Sequence, residues 1–139
     1  DLVTFWHALE HVHDVNRYLR AVSDRLRKDG RVIIAAPNYE SYDARHYRNL
    51  WAAYDVPRHL YHFHHSSMVA LLERCGLSVV DLRSLPFDSF YVSILSEKKA
   101  DGNLMRGLWV GLKSYLSSLS DTRTSSSLVY VGSTPAARS

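Results

Sequence analysis

DLVTFWHALEHVHD, residues 1–14, opens on a short apolar run, Leu2-Val3-Thr4-Phe5-Trp6, rich in β-branched and aromatic side chains. That composition suits a strand buried on both faces of a parallel sheet. The run then stops, and His7, Glu10, His11 and His13 follow within seven residues. In an open α/β sheet the ligand crevice lies just beyond the carboxyl ends of the strands. A strand that ends in a burst of His and Glu is therefore where chemistry is expected.

The neighbouring segments build outward from that strand. Asp14 is a good N-cap, and Val15, Tyr18, Leu19, Val22 and Leu26 follow at helical spacing. Arg27-Lys28-Asp29-Gly30 ends the helix with basic residues that suit its C-terminus and a glycine for the left-handed turn. Arg31 to Ala36 (RVIIAA) reads as a second buried strand closed by Pro37-Asn38, which completes a βαβ unit. Residues 38–65 are crowded with Tyr, Trp, His, Arg and Asp and carry no long apolar period. They are expected to make a partly helical excursion over the strand ends. Ser66 is then expected to cap a helix through Cys75, Gly76 to end it, and Leu77–Arg83 to form a third strand. After Pro86, a short helix capped by Asp88 and a longer one through Leu104, Leu108, Leu112, Tyr115, Leu116 and Leu119 are expected. A polar loop over 120–127 leads to a last strand at Leu128–Val131. The domain is read as residues 1–133, with 134–139 as a disordered tail.

Bulk properties narrow the class. The chain has 139 residues, 46% of them hydrophobic, enough for one domain with a core. A net charge of +3, with basic residues scattered, argues against nucleic acid as a partner. A single cysteine, Cys75, excludes an internal disulfide framework and fits a reducing, cytoplasmic compartment. No run approaches the ~18 apolar residues of a membrane span, so no membrane association is expected. The absence of an initiator Met, in a chain that starts inside a core-like strand, reads as a fragment or a processed chain.

Three stretches together resemble the C-terminal half of a class I S-adenosylmethionine-dependent methyltransferase, of the methyltransferase-domain families that include ubiquinone-biosynthesis enzymes. They are DLVTFWHALEHVHD, LRKDGRVIIAAPN and FHHSSMVALLERCGLSVVDL, and the likeness spans roughly residues 1–84. The resemblance implies an α/β class, a partial Rossmann-like fold comprising strands four to seven with flanking helices. It also implies methyl transfer from S-adenosylmethionine to a small-molecule acceptor. The family's Gly-rich cofactor turn is absent: none of the glycines (30, 76, 102, 107, 111, 132) makes a G-x-G after a strand. The chain alone is therefore expected not to bind the cofactor and to be inactive by itself. The alternative function is a non-catalytic fragment serving as an oligomerisation or interaction module.

On this resemblance Trp6, His7, Ala8 and Leu9 wall the cofactor. Arg58, Tyr61 and Phe63 contact the acceptor, and His59 and His62 are the candidate general bases. Arg58 can hold a carboxylate or phosphate through its guanidinium fork. Tyr61 and Phe63 can stack on a planar acceptor. His7, Glu10 and His11 fall at i, i+3 and i+4, which one helical turn would place on one face. Some relatives carry E-x-x-E-H at this point and bind a metal. Here His7 replaces the first Glu, so the expectation is no metal, with His7, Glu10 and His11 as the alternative ligand set, to be completed by His59 or His62. H-x-x-E-H is also a zinc-protease pattern, but that motif needs a continuous helix and here it follows directly on a strand. Finally, the Leu2–Trp6 strand is expected to lack a partner on one side and to drive homo-oligomerisation through its open edge.

Overall fold

The computed structural model describes residues 1–135. β1 (Leu2–Trp6), α1 (Val15–Arg25) and β2 (Arg31–Pro37) form the βαβ unit, with β1 and β2 parallel and Leu2 opposite Arg31. α2 (Tyr42–Tyr47) and two 3-10 turns, Arg48–Leu50 and Ala52–Tyr54, make up the aromatic excursion. α3 (His65–Arg74) leads into β3 (Ser78–Ser84), and α4 (Asp88–Lys99) and α5 (Leu104–Ser120) form a hairpin before β4 (Ser127–Ser133). The sheet order is β1-β2-β4-β3, with β4 antiparallel to both neighbours. The mixed α/β fold expected from the sequence is present, and its four strands stand where strands four to seven were placed.

Why these residues form these elements is visible locally. Asp14 caps α1 by accepting from the Arg17 N–H at 3.0 Å. α3 ends at Gly76, whose φ of 80° suits a residue without Cβ. The Leu77 N–H then reaches back to the Leu72 carbonyl at 2.9 Å and satisfies an end carbonyl of the helix. Leu77 itself is sealed in the main core with Leu9, Leu19, Val32, Ile34, Met68, Leu72 and Tyr130. The cap of α3 is His64 rather than Ser66: Ser67 accepts from the His64 N–H at 3.1 Å and closes a capping box.

β1 differs from its expected burial. Val3 and Phe5 pack on the main core, whereas Leu2 and Trp6 are 61% and 57% exposed. Among the described residues β1 pairs with β2 alone, so it is an edge strand and not one covered on both faces. The polar loop expected over 120–127 also departs from expectation. Ser125, Ser126 and Ser127 are buried because they receive a carboxylate and an amide from distant segments. β4 is correspondingly longer than Leu128–Val131. Residues 136–139 of the expected tail lie outside the described residues.

A second, smaller core lies under the excursion, where Ala44, Tyr47 and Trp51 meet Val92 of α4 and Val110 of α5. α5 approaches α4 closely at Gly107 and Gly111. A Cβ on either would fall within 2.9 Å of the Ile94 or 2.8 Å of the Phe90 Cα. This close crossing fixes the rotation of α4 and leaves one of its faces turned towards the strand ends.

Candidate functional site

A cavity of about 610 Å³ opens at the carboxyl ends of β1 and β2. His7 and Pro37 come from those ends, and Ser127 comes from the start of the antiparallel β4, directly opposite Pro37. Ala52, Ala53, Asp55, Arg58 and His59 of the excursion form one wall, and the turned face of α4 forms another. The volume is that of an ordinary small-molecule site.

His7 is the hinge between strand and site. Its φ is 47°, a left-handed conformation that costs a non-glycine residue about 1 kcal/mol or more. Its N–H continues the ladder to the Ala35 carbonyl at 3.0 Å, and its ring turns to two carboxylates. Nε2 lies 3.3 Å from Asp88 and Nδ1 3.6 Å from Glu10. The two neighbouring carboxylates, Asp88 first and then Glu10, raise the His7 pKa to about 9 against the opposing cost of burial. Burial would raise Asp88, but hydrogen bonds from His7 and Ser127 hold its carboxyl below the usual value. At neutral pH His7 is therefore a cation. It joins β1 to the start of α4 and cannot accept a proton there.

A pH effect follows from this pair. The folded pKa is raised, so the stabilisation is complete below the unfolded value of about 6.5 and is lost as pH rises through about 9. For a ring about one-third exposed, the loss is expected to be on the order of 2 kcal/mol between pH 6 and 10. Urea unfolding with a chelator present should show that loss in the native chain and not in His7→Gln. Parallel pH profiles for the two would exclude the pair as its source.

Glu10 anchors a second cluster. It is 1% exposed, and both carboxylate oxygens are buried without a hydrogen-bond partner. A buried carboxylate without donors is costly, because its desolvation is not repaid. Two imidazoles stand beside it. His59 donates from Nδ1 to the Ala53 carbonyl at 2.8 Å, and His11 donates from Nδ1 to the Arg58 carbonyl at 3.1 Å. Carbonyls only accept, so in each neutral ring the lone pair is left on Nε2. His59 Nε2 is 4.0 Å from Glu10 Oε1, and one ligand atom from each of Glu10, His11 and His59 lies within 4.8 Å of the others. The residues present fit a divalent cation: two nitrogen donors oriented by backbone carbonyls and an otherwise unpaired carboxylate. This set is not the His7, Glu10 and His11 trio read from helical spacing. The 3-10 turn at Leu9–His11 does not extend back to His7, whose ring is drawn to Asp88.

The other sequence candidates divide. His7, Arg58 and His59 line the cavity. Arg58 is held by Asp55 at 2.7 Å. His62 donates instead to the Tyr54 carbonyl at 2.9 Å and does not line the main cavity. Leu9 and Phe63 are buried in the main core, and the Tyr61 hydroxyl donates to the His13 carbonyl at 2.8 Å. Trp6 is exposed at the edge, with Ala8 partly buried behind it. Sequence reading missed Asp88 as a partner of His7, because an Asp at a helix start looks like a cap. It also missed Lys98 and Lys99 on the cavity wall. Helical spacing puts them on the face of Asp88, but nothing local shows that this face meets the cavity.

A parallel βαβ unit with a cavity over its strand ends defines a Rossmann-like fold. The family model described as "Methyltransferase domain" matches residues 1–82, and the chain belongs to that family. Among solved structures, it is similar to a chain of the complex between the Haloferax volcanii Trm112 methyltransferase activator and a methyltransferase. That match has 17% identity and a TM-score of 0.62, covering 97% of this chain and 54% of that one. The [4+2]-cyclase SpnF matches at 11% identity and a TM-score of 0.57, covering 97% of this chain and 49% of its own. Phosphoethanolamine N-methyltransferase 2 of Haemonchus contortus, solved with S-adenosyl-L-methionine, matches at 13% identity and a TM-score of 0.53, covering 96% and 33%. At these identities the likeness is one of fold, and the chain spans about half the length of the first two structures. No curated protein sequence matches it. Among the described residues no helix is long and apolar enough to cross a membrane.

Proposed function

We propose that this chain supplies the acceptor-side half of a methyltransferase that uses S-adenosylmethionine, with a small molecule as acceptor and the cytoplasm as its compartment. The observation that carries the proposal is the cavity at the strand ends, in a chain matched by the methyltransferase-domain family. His7 stands on the cofactor side of the cavity, with Trp6 and Ala8 beside it at the strand end and Leu9 supporting them from the core. His59 is the base for an acceptor that must lose a proton, its Nε2 free and its ring held by Ala53. Arg58 stands at the acceptor side, while Tyr61 and Phe63 brace the loop from behind. The transfer is an SN2 displacement, so the main work of the site is to hold donor and nucleophile in line.

The native gene product containing this chain is the material for the test. Labelled methyl should pass from S-adenosylmethionine to a small acceptor, and His59→Gln should slow transfer by about 10²-fold or more. Full activity in His59→Gln would remove it from the role of base. The 139-residue chain alone should show no calorimetric binding of micromolar cofactor, because no Gly-rich turn follows a strand.

A second reading of the same residues is favoured by the unpartnered carboxylate of Glu10. Glu10, His11 and His59 would hold a divalent cation, which supplies Lewis-acid polarisation of an acceptor oxygen when bound. The two readings part over His59, which is a base in one and a ligand in the other.

The chain itself should self-associate through β1. His7 donates to Ala35 and Asp1 accepts from Arg31, so the odd residues of β1 face β2. The backbone groups of Leu2, Thr4 and Trp6 point to the open side. An apolar edge of this kind templates pairing with a second copy, most simply in a symmetric dimer. Sedimentation should give a dimer, and Thr4→Pro, which removes only an outward N–H, should give a monomer. A native chain that sediments as a monomer overturns the edge argument.

A further inference from the structure

The face of α4 turned to the cavity changes character along its length. Asp88, Tyr91, Val92, Leu95, Lys98 and Lys99 all line the cavity, at the three- and four-residue spacing that stacks side chains on one face. Asp88 meets His7 at the strand ends. Tyr91, Val92 and Leu95 make a largely apolar middle. Lys98 and Lys99 are exposed, and neither forms an ion pair among the described residues. Basic residues in a last helical turn are ordinary, since they complement the helix dipole. Here they also end an apolar row that begins at the reactive end of a cavity. Ten residues separate Asp88 from Lys98, which is about 15 Å along the axis.

We propose that the methyl acceptor is an elongated anion, with a carboxylate or phosphate bound by Lys98 and Lys99 and an apolar or aromatic body along Tyr91, Val92 and Leu95. This rests on the methyl-transfer reading of the site. The remaining cations of the cavity are committed elsewhere: Arg58 to Asp55 and His7 to Asp88. The two lysines are the charges left to meet an incoming anion. The α4 row then acts as a ruler, fixing how far the reacting atom lies from the charged end.

The test uses three probes of matched length, 6-phenylhexanoate, 6-phenylhexyl phosphate and 6-phenylhexanol, titrated into the chain by calorimetry or NMR. At least one anion should bind about tenfold or more tightly than the alcohol, and the better of the two assigns the anion. Lys98→Gln/Lys99→Gln should abolish that preference and leave alcohol binding unchanged. Lys28→Gln, remote and exposed, should keep it. Equal binding of alcohol and anions, or a preference that survives the double substitution, overturns the proposal. Both lysines are exposed, so the double variant should melt with the native chain. The measurement needs neither cofactor nor turnover. A parent protein that transfers no methyl would therefore leave its result standing, and an overturned anion site would leave methyl transfer untouched.

Discussion

Asp43→Ala is expected to cost about 3–5 kcal/mol of folding stability. Asp43 is fully buried and accepts three hydrogen bonds, from Trp51 Nε1 at 2.7 Å, Ser114 Oγ at 2.8 Å and Ser126 Oγ at 2.7 Å. Those donors come from the excursion, from α5 and from the residue before β4. One carboxylate therefore ties together three segments that share no continuous secondary structure. Bonds to a charged acceptor contribute about 1.5–3 kcal/mol each, and removing the acceptor leaves three buried donors without partners. Asp43→Asn should cost less, about 1–3 kcal/mol, because its amide oxygen still accepts. Its NH₂ can be taken by a serine hydroxyl but not by the Trp51 N–H. Urea unfolding should show the order native, Asn, Ala with an unchanged slope. If Asp43→Ala unfolds within about 1 kcal/mol of the native chain, the knot is not a structural centre.

That knot also marks the limit of what could be read from the residues in order. β1, β2, α1 and the end of α3 at Gly76 follow from period, caps and glycine placement, all local signals. The left-handed turn expected at Gly30 is absent, and the positive φ falls at Gly76. Ser125–Ser127 read as a solvated loop because nothing nearby shows that a carboxylate 83 residues away meets Ser126. The strand-end site divides the same way. That His7 and Glu10 lie beyond a strand was legible, since an apolar run ending in polar residues has one meaning in an α/β sheet. Which of His59 and His62 joins Glu10 and His11, and that His7 turns away to Asp88, was not, because both depend on how the excursion and α4 return over the strand. Lys98 and Lys99 went unread for a related reason. Their direction is set by the Gly107 and Gly111 crossing of α5, a packing fact with no local mark on α4.

The other large effect is expected from divalent ions. Chelator-stripped chain should take up one Zn²⁺ or Co²⁺, and an ion at 100 times its Kd should stabilise the fold by about 2.7 kcal/mol. The argument rests on Glu10. Two buried oxygens without donors, beside two imidazoles whose Nδ1 atoms are already given to carbonyls, leave one arrangement of lone pairs and no protein cation within hydrogen-bond range. His7 is the nearest positive group, but its ring is shared with Asp88, and its 3.6 Å approach to Glu10 exceeds a hydrogen bond. Glu10→Gln removes the only anionic ligand, and His59→Gln removes a nitrogen ligand held by the fold. Each should weaken binding by on the order of 10²-fold or more, as losing an inner ligand must exceed the loss of a supporting one. His7→Gln should retain the ion, which separates this ligand set from the one suggested by helical spacing. The absorption spectrum of bound Co²⁺ reports its ligands directly, with no dependence on turnover. Binding that survives Glu10→Gln, or requires His7 but not His59, would show that the ion sits elsewhere. A stripped chain that takes up no ion at all would leave His59 to the role of base.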